Sequence, residues 1–269
     1  TRALVLIDEH KGSDKTVDIM SLVSARMGSA IHAVAEQAWT NRENISKALQ
    51  ALQVSNLDDK LVINPDVVKE GDIPIYVEQR HEKEINGYII SGKYDLVVDG
   101  TVSDYKSTSV WSYIFDSNAL KYTQQASIYK WLAPDRITDN AVHIQYIFTD
   151  WSAAQAMRDP SYPQTRVLTK EYPIWSVEQT EHFIKEKLDL LKQYKGRPQE
   201  ELPQCTKEEL WESETTYKYY KNPTKMARST KNFDNIDEAN IRLANDGGVG
   251  TVVTVPGEVK ACRYCEVSD

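Results

Sequence analysis

Two dipeptides, Asn86-Gly87 and Asp99-Gly100, constrain this chain more than any other feature of its sequence. Each lies between runs that alternate apolar and polar residues. Asn-Gly or Asp-Gly in that position favours a two-residue turn whose central residues both have positive φ. The runs are IPIYVEQRHEKEI (73–85), YIISGKYDLVV (88–98) and TVSDYKST (101–108). They predict three antiparallel strands in a meander.

Helical patterns bracket the meander. In residues 17–39, Ile31, Val34, Ala35 and Ala38 share a face at helical spacing, and a second helix is expected over 43–54. NALKYTQQASIYKWLA (118–133) predicts a helix with Leu120, Ala126, Tyr129 and Leu132 inward. AVHIQYIF (141–148) predicts a buried strand, and 176–194 a helix with Ser176 as N-cap. Residues 149–172, with Trp151, Arg158, Tyr162 and Arg166, are expected as one long connection, a length usually functional or mobile. The element order is then α, β, β, β, α, β and a further helix. Beyond residue 200 a hairpin around Asn222-Pro223, a helix over 236–245 and a strand over 251–255 are expected. The predicted organisation is an α/β core over 1–199, with a mixed sheet flanked by helices, and a small α+β appendage over 200–269.

Strand patterning raises a chemical question. On the middle strand Ile90 and Leu96 are expected on one face, with Ile89, Val97 and Asp95 on the other. Asp104 and Lys106 are two apart and share a face. A turn at Asp99-Gly100 pairs Val98 with Thr101 and so sets Asp95 opposite Asp104, about 4.5–5.5 Å apart in a regular ladder. Two carboxylates that close repel unless a cation sits between them. A hard divalent cation such as Mg²⁺ or Mn²⁺ takes oxygen ligands and suits the pair. With Lys106 beside it, the arrangement fits metal-assisted phosphodiester hydrolysis. The plainer alternative is a solvated hairpin face carrying an Asp–Lys pair.

Four short motifs add to this. They are Gly28-Ser-Ala-Ile-His32, Gly92-Lys-Tyr-Asp95, Asp104-Tyr-Lys106 and Gln125-Ala-Ser-Ile-Tyr129. In this order and on these elements the chain resembles the PD-(D/E)XK nuclease superfamily, in its RecB-like and Cas4-like branch of phage-type exonucleases. The middle carboxylate motif lacks the proline that gives the superfamily its name. The resemblance implies a restriction-endonuclease-like αβββαβ core. It also implies roles: Asp95, Asp104 and the Tyr105 carbonyl on the metal, His32 as a further ligand favouring Mn²⁺, and Lys106 on the attacking water and the transition state. Gln125 and Tyr129 would contact the DNA backbone or hold the lysine. Glu78, mid-strand in the first run, is a secondary candidate for the same site, with a solvent-facing strand residue as its alternative.

The remaining signals concern partners. With 269 residues the chain can bury a sizeable core. Its net charge of −8 means that binding to DNA must come from a local basic patch or from bound cations. YKYYKNPTKMARSTK (217–231) is such a patch, with Lys218, Lys221 and Lys225 among its bases and tyrosines between them. Lysines suit phosphates and aromatic rings suit bases; a solvated hairpin is the alternative. Cys262-Arg-Tyr-Cys265 and the distant Cys205 are the three cysteines. Some nucleases of the branch hold an iron–sulfur cluster on four thiolates, and zinc, redox chemistry or no role at all also fits a lone C-x-x-C. So few cysteines suit a reducing compartment. No run of about 18 apolar residues and no signal-peptide pattern occurs, so a cytoplasmic protein is expected, in the host bacterium if phage-encoded. DNA is the expected partner, with a single-strand-annealing or other recombination protein as a further one; no membrane is expected, and an oligomer is left open. A non-catalytic nucleic-acid-binding protein on the same fold and an endonuclease remain alternatives to the exonuclease.

Overall fold

The computed structural model describes residues 2–9, 22–259 and 261–264. The helices are α1 (Arg2–Glu9), α2 (Val23–Thr40), α3 (Arg42–Ala51), α4 (Val110–Ile114), α5 (Ala119–Leu132), α6 (Ala153–Arg158), α7 (Val177–Tyr194), α8 (Lys207–Leu210) and α9 (Ile236–Asn245). The strands are β1 (Leu61–Ile63), β2 (Ile73–Ile85), β3 (Tyr88–Val98), β4 (Thr101–Thr108), β5 (Ala141–Phe148), β6 (Val167–Pro173), β7 (Thr216–Tyr220), β8 (Lys231–Phe233) and β9 (Thr251–Val255). The protein is a mixed α/β structure. A six-stranded sheet in the order β1-β2-β3-β4-β5-β6 is flanked by helices, and a second, three-stranded sheet runs β8-β7-β9. No helix among the described residues is long and apolar enough to cross a membrane.

The chain divides into two compact units, Thr16–Leu188 and Thr1–Lys15 with Asp189–Asp269. This differs from a cut at residue 199. The division falls inside α7, just past Leu188, the last residue of that helix in the apolar cluster of its N-terminal part. That cluster combines Ile184 and Leu188 with Trp131 of α5. Helix α1, which the sequence pattern did not signal, belongs to the C-terminal unit. There Val5 and Leu6 are buried, and Arg2 donates to the carbonyl of Gln199 at 3.0 Å.

Both Gly-containing turns form as expected. Asn86 and Gly87 have φ of 52° and 79°, and Asp99 and Gly100 have 47° and 89°. The β2–β3 ladder runs antiparallel from Ile75↔Val98 to Ile85↔Tyr88. β4 then pairs parallel with β5 from Val102↔Val142 to Thr108↔Phe148, with α5 in the crossover. The connection expected over 149–172 is not one loop. It contains α6, and its end is the edge strand β6, antiparallel to β5 from Ala141↔Pro173 to Ile147↔Val167.

Two apolar layers fix the faces of the sheet. Tyr76, Tyr94, Val97 and Val102 join Ala126 and Tyr129 of α5 on one side. Ile75, Val77 and Leu96 join Trp39 of α2 and Tyr105 on the other. Tyr94 and Leu96 are two residues apart yet lie on opposite layers, so the alternation of β3 reverses across Asp95. The expected shared face of Ile90 and Leu96 is therefore wrong: Ile90 packs with Trp131 on the α5 side. The cause is local. Glu78, which the register sets against Asp95, has φ of 53°. Pairing skips these two residues, passing from Val77↔Leu96 to Gln79↔Tyr94.

The helix faces also differ from expectation. Val34 is 67% exposed and Ala38 is exposed, whereas Gly28, Ile31, His32, Ala35 and Trp39 form the half-buried stripe of α2. In α5 Leu120 is 62% exposed, and Tyr122, Ala126, Tyr129 and Trp131 are buried. The part of the N-terminal helical pattern over residues 17–21 lies outside the described residues.

Candidate metal centre

The site stands where β3 and β4 part. Their ladder holds only from Val98↔Thr101 to Leu96↔Ser103, although both strands run on with their outer neighbours. The next pair would be Asp95 with Asp104. Instead the Asp95 carboxylate takes the place of a backbone acceptor: the Tyr105 N–H donates to Asp95 Oδ2 at 2.9 Å. Asp95 thus lies at the mouth of a fork, in the gap opened by the missing ladder bonds.

On the α2 side of the fork three potential ligands converge. One ligand atom from each of His32, Glu78 and Asp95 lies within 4.8 Å of the others. His32 Nδ1 is 3.4 Å from Asp95 Oδ2, and its ring meets Tyr105 edge-on with centroids 6.3 Å apart. The Tyr105 hydroxyl is held in turn by the indole N–H of Trp39 at 2.7 Å. Glu78 also pairs with Lys93 of β3. Gly28 faces β4: a Cβ there would stand 3.1 Å from Ser107 Oγ, a hydroxyl that can rotate aside. The histidine four residues on is then carried over the fork, one helical turn along the same face.

Asp104 and Lys106 lie on the α5 side, with Val102. Asp104 is 3% exposed. The Lys106 ammonium is 2.5 Å from Asp104 Oδ2 but outside hydrogen-bonding geometry, so that buried oxygen carries an ion pair and no hydrogen bond. Burial pushes the Asp104 carboxyl above its usual range; Lys106 opposes that shift, and Asp95 adds to it. Lys106 donates to Gln125 Oε1 at 3.1 Å, and Gln125 Nε2 donates to the Tyr129 hydroxyl at 2.7 Å. Burial, with Asp104 next, holds the Tyr129 hydroxyl in its protonated form far above neutral pH, so it can accept from Gln125 without carrying charge. Gly92 brings α5 this close to β3, since a Cβ there would meet Leu132 Cδ1 at 2.9 Å and the Tyr129 ring at 3.1 Å.

The donor set fits a divalent cation. Two carboxylates and an imidazole face one point, and beside them stands the buried Asp104 carboxylate, ion-paired with Lys106. Carboxylate oxygens suit Mg²⁺ and Mn²⁺, and an imidazole favours the second. The geometry ranks the residues differently from the sequence. Glu78, a secondary candidate by sequence, belongs to the converging triad, and Asp104 stands behind it against Lys106. Of the Tyr105 peptide, the N–H is the group seen to engage the site. The sequence motifs assign no role to Lys93 or Trp39. Lys93 could have been found from its place two residues before Asp95; Trp39 carried no such signal.

The other expected residues lie in the C-terminal unit. Lys221 and Lys225 are exposed in the β7–β8 connection, while Lys218 is half-buried and paired with Asn232. The interleaved tyrosines are not free to stack on bases. Tyr219 is fully buried and donates to Asp246 Oδ2 at 2.9 Å; Tyr220 is buried, and Tyr217 packs on the cluster of Tyr219, Phe233 and Ala239. They serve the core because β7 is the central strand of its sheet. Cys205 is half-buried and Cys262 exposed. Burial raises the Cys205 thiol first, with Glu209 adding to the shift. Cys265 lies outside the described residues.

No family model matches the chain, and no curated protein matches it. Among solved structures, one described as "Crystal structure of SSO0001" aligns with 70% of this chain and 84% of that chain at 15% identity. Its TM-score of 0.30 is too low to carry an argument.

Proposed function

We propose that this protein is a metal-dependent DNA nuclease of the PD-(D/E)XK type, acting as an exonuclease in phage-type recombination or end processing. The observation that carries the reading is the fork between β3 and β4, where His32, Glu78 and Asp95 converge beside the Asp104–Lys106 pair. His32, Glu78 and Asp95 would hold Mg²⁺ or Mn²⁺, with Asp104 available from the other side of the fork. A bound cation supplies Lewis acidity and offsets the charge of the scissile phosphate.

The chain's own groups do the rest. Lys106 is a quarter exposed, and Asp104 and Gln125 hold its ammonium at the mouth of the fork. From there it orients a water by donating to it and stabilises negative charge as the phosphorus–oxygen bonds rearrange. Gln125 is fixed by Tyr129, which keeps the lysine aimed and limits the loss of side-chain entropy on reaction. The Tyr105 N–H keeps Asp95 turned into the fork. In the C-terminal unit, exposed Lys221 and Lys225 offer contacts to phosphates.

The test is digestion of 5′- and 3′-end-labelled single- and double-stranded DNA with Mg²⁺ or Mn²⁺. Release of nucleotides from an end, with covalently closed circles left intact, is the expected result. Cutting of closed circles would make it an endonuclease. Absence of cleavage on every substrate with either metal would overturn the nuclease reading.

A further inference from the structure

Among the described residues, Glu78 alone of the non-glycine residues with positive φ lies inside a strand. Such a backbone costs of order 1–3 kcal/mol and persists only where its surroundings impose it. What it achieves here is visible. It turns the Glu78 carboxylate to the α2 side, against His32 and Asp95. The carboxylate is mostly buried, with 18% of its side chain exposed, and its partner is the ammonium of Lys93. Lys93 is 45% exposed and sits on a long flexible stem at the open side of β3.

We infer that Lys93 is a tethered counter-ion of this site, holding Glu78 while no divalent cation is bound and released into water when one binds. The inference rests on the reading of His32, Glu78 and Asp95 as a cation site. Glu78, Asp95 and Asp104 bring three carboxylates to the fork, and carboxylates gathered this way repel when no cation offsets them. Lys106 is committed to Asp104 on the α5 side. On the α2 side Lys93 is the cationic side chain bonded to Glu78. A divalent cation needs the same carboxylate oxygens, and two cations on one carboxylate repel each other, so ammonium and metal ion compete. The stem of Lys93 can leave without disturbing the core, since half of its surface already faces water. Lys93 is thus a positioning residue for Glu78 in the metal-free protein and sets how tightly the site takes its metal.

Mn²⁺ alone is the probe. Its binding to the full chain can be followed by the loss of the electron paramagnetic resonance signal of free Mn²⁺, at fixed pH and ionic strength, with folding checked by circular dichroism. Lys93→Met should tighten Mn²⁺ binding by roughly two- to fivefold, the range expected for release of a partly exposed ion pair. Lys93→Arg should leave the affinity near that of the parent. Glu78→Gln should weaken binding, and in that background Lys93→Met should change little, because the competitor acts through Glu78. Unchanged or weaker binding by Lys93→Met would overturn the inference. So would equal tightening with and without the Glu78 carboxylate, since that is the effect of net charge alone. Absence of Mn²⁺ binding by the parent protein would overturn the cation site itself, and the role of Lys93 with it.

Discussion

Gly92→Ala is a sharp test of how the fork is built. The glycine does not have a positive φ, so the backbone accepts alanine without strain. The obstacle is space. The new methyl would lie 2.9 Å from Leu132 Cδ1 and 3.1 and 3.2 Å from two ring carbons of Tyr129. Leu132 is half-buried and its end can swing away. Tyr129 cannot, because it is buried, bonded to Gln125 and edge-on to Tyr94 at 6.2 Å. Overpacking of this kind costs about 1–3 kcal/mol. The more restricted unfolded chain of alanine returns about 0.4–1 kcal/mol. The net loss is then roughly 0–2.6 kcal/mol, or up to about 10 °C in melting temperature for a unit of this size. Gly28→Ala is the matched comparison. Its methyl meets one atom, Ser107 Oγ at 3.1 Å, which turns away by rotation about χ1. Alanine also favours the helix by about 1 kcal/mol, so Gly28→Ala should be neutral or stabilising. Calorimetry on both full-length variants in metal-free buffer measures the difference. A Gly92→Ala protein that melts at or above the parent, or no lower than Gly28→Ala, would refute the claim that this glycine exists for the approach of α5.

Three further outcomes are expected. Lys106→Ala should abolish cleavage while leaving the Mn²⁺-induced rise in melting temperature largely intact, since the lysine acts in the transition state; near-parental cleavage would show that the lysine has no part in the reaction. Asp104→Asn should lose metal-dependent cleavage and change the pH dependence of stability. Burial raises the Asp104 carboxyl in the folded state, so its stabilising contribution is present below the unfolded value of about 3.9 and is lost as pH rises through the folded value. The stability of Asp104→Asn relative to the parent should therefore increase from pH 4 upward in metal-free buffer, and denaturant melts showing a constant difference would refute this. Replacing Lys218, Lys221 and Lys225 by alanine should weaken DNA binding in Ca²⁺ and lower the log–log salt slope by roughly 0.7–0.9 per lost phosphate contact; an unchanged slope would assign these lysines to a solvated face.

The parts of the fold legible in the sequence are those fixed by local chemistry. Asn86-Gly87 and Asp99-Gly100 need positive φ, few residues supply it, and β2 and β3 end, and β3 and β4 begin, where those turns say they must. The N-cap at Ser176 is similar: its hydroxyl accepts from the Gln179 N–H at 3.1 Å, and Gln179 Oε1 accepts from its N–H at 2.9 Å. What could not be read depends on partners distant in sequence. Edge strand β6 reads as loop in the sequence because its residues alternate only weakly, and β5 supplies its hydrogen bonds. The inward stripe of α2 was misplaced because a count of apolar residues selects Val34 and Ala38, whereas the helix covers a polar fork and so turns Gly28 and His32 inward. The reversal at Glu78 and Asp95 was hidden because period-2 reasoning assumes that a strand keeps its faces throughout. These misses share a cause. Apolar periodicity reports burial against a hydrophobic core, and a site that gathers carboxylates and an imidazole must interrupt that core. The exceptions to the pattern therefore fall on the residues that face the fork, and a strand glutamate at positive φ, opposite an aspartate that has left the ladder, marks the centre of the candidate site more sharply than the motif spacing does.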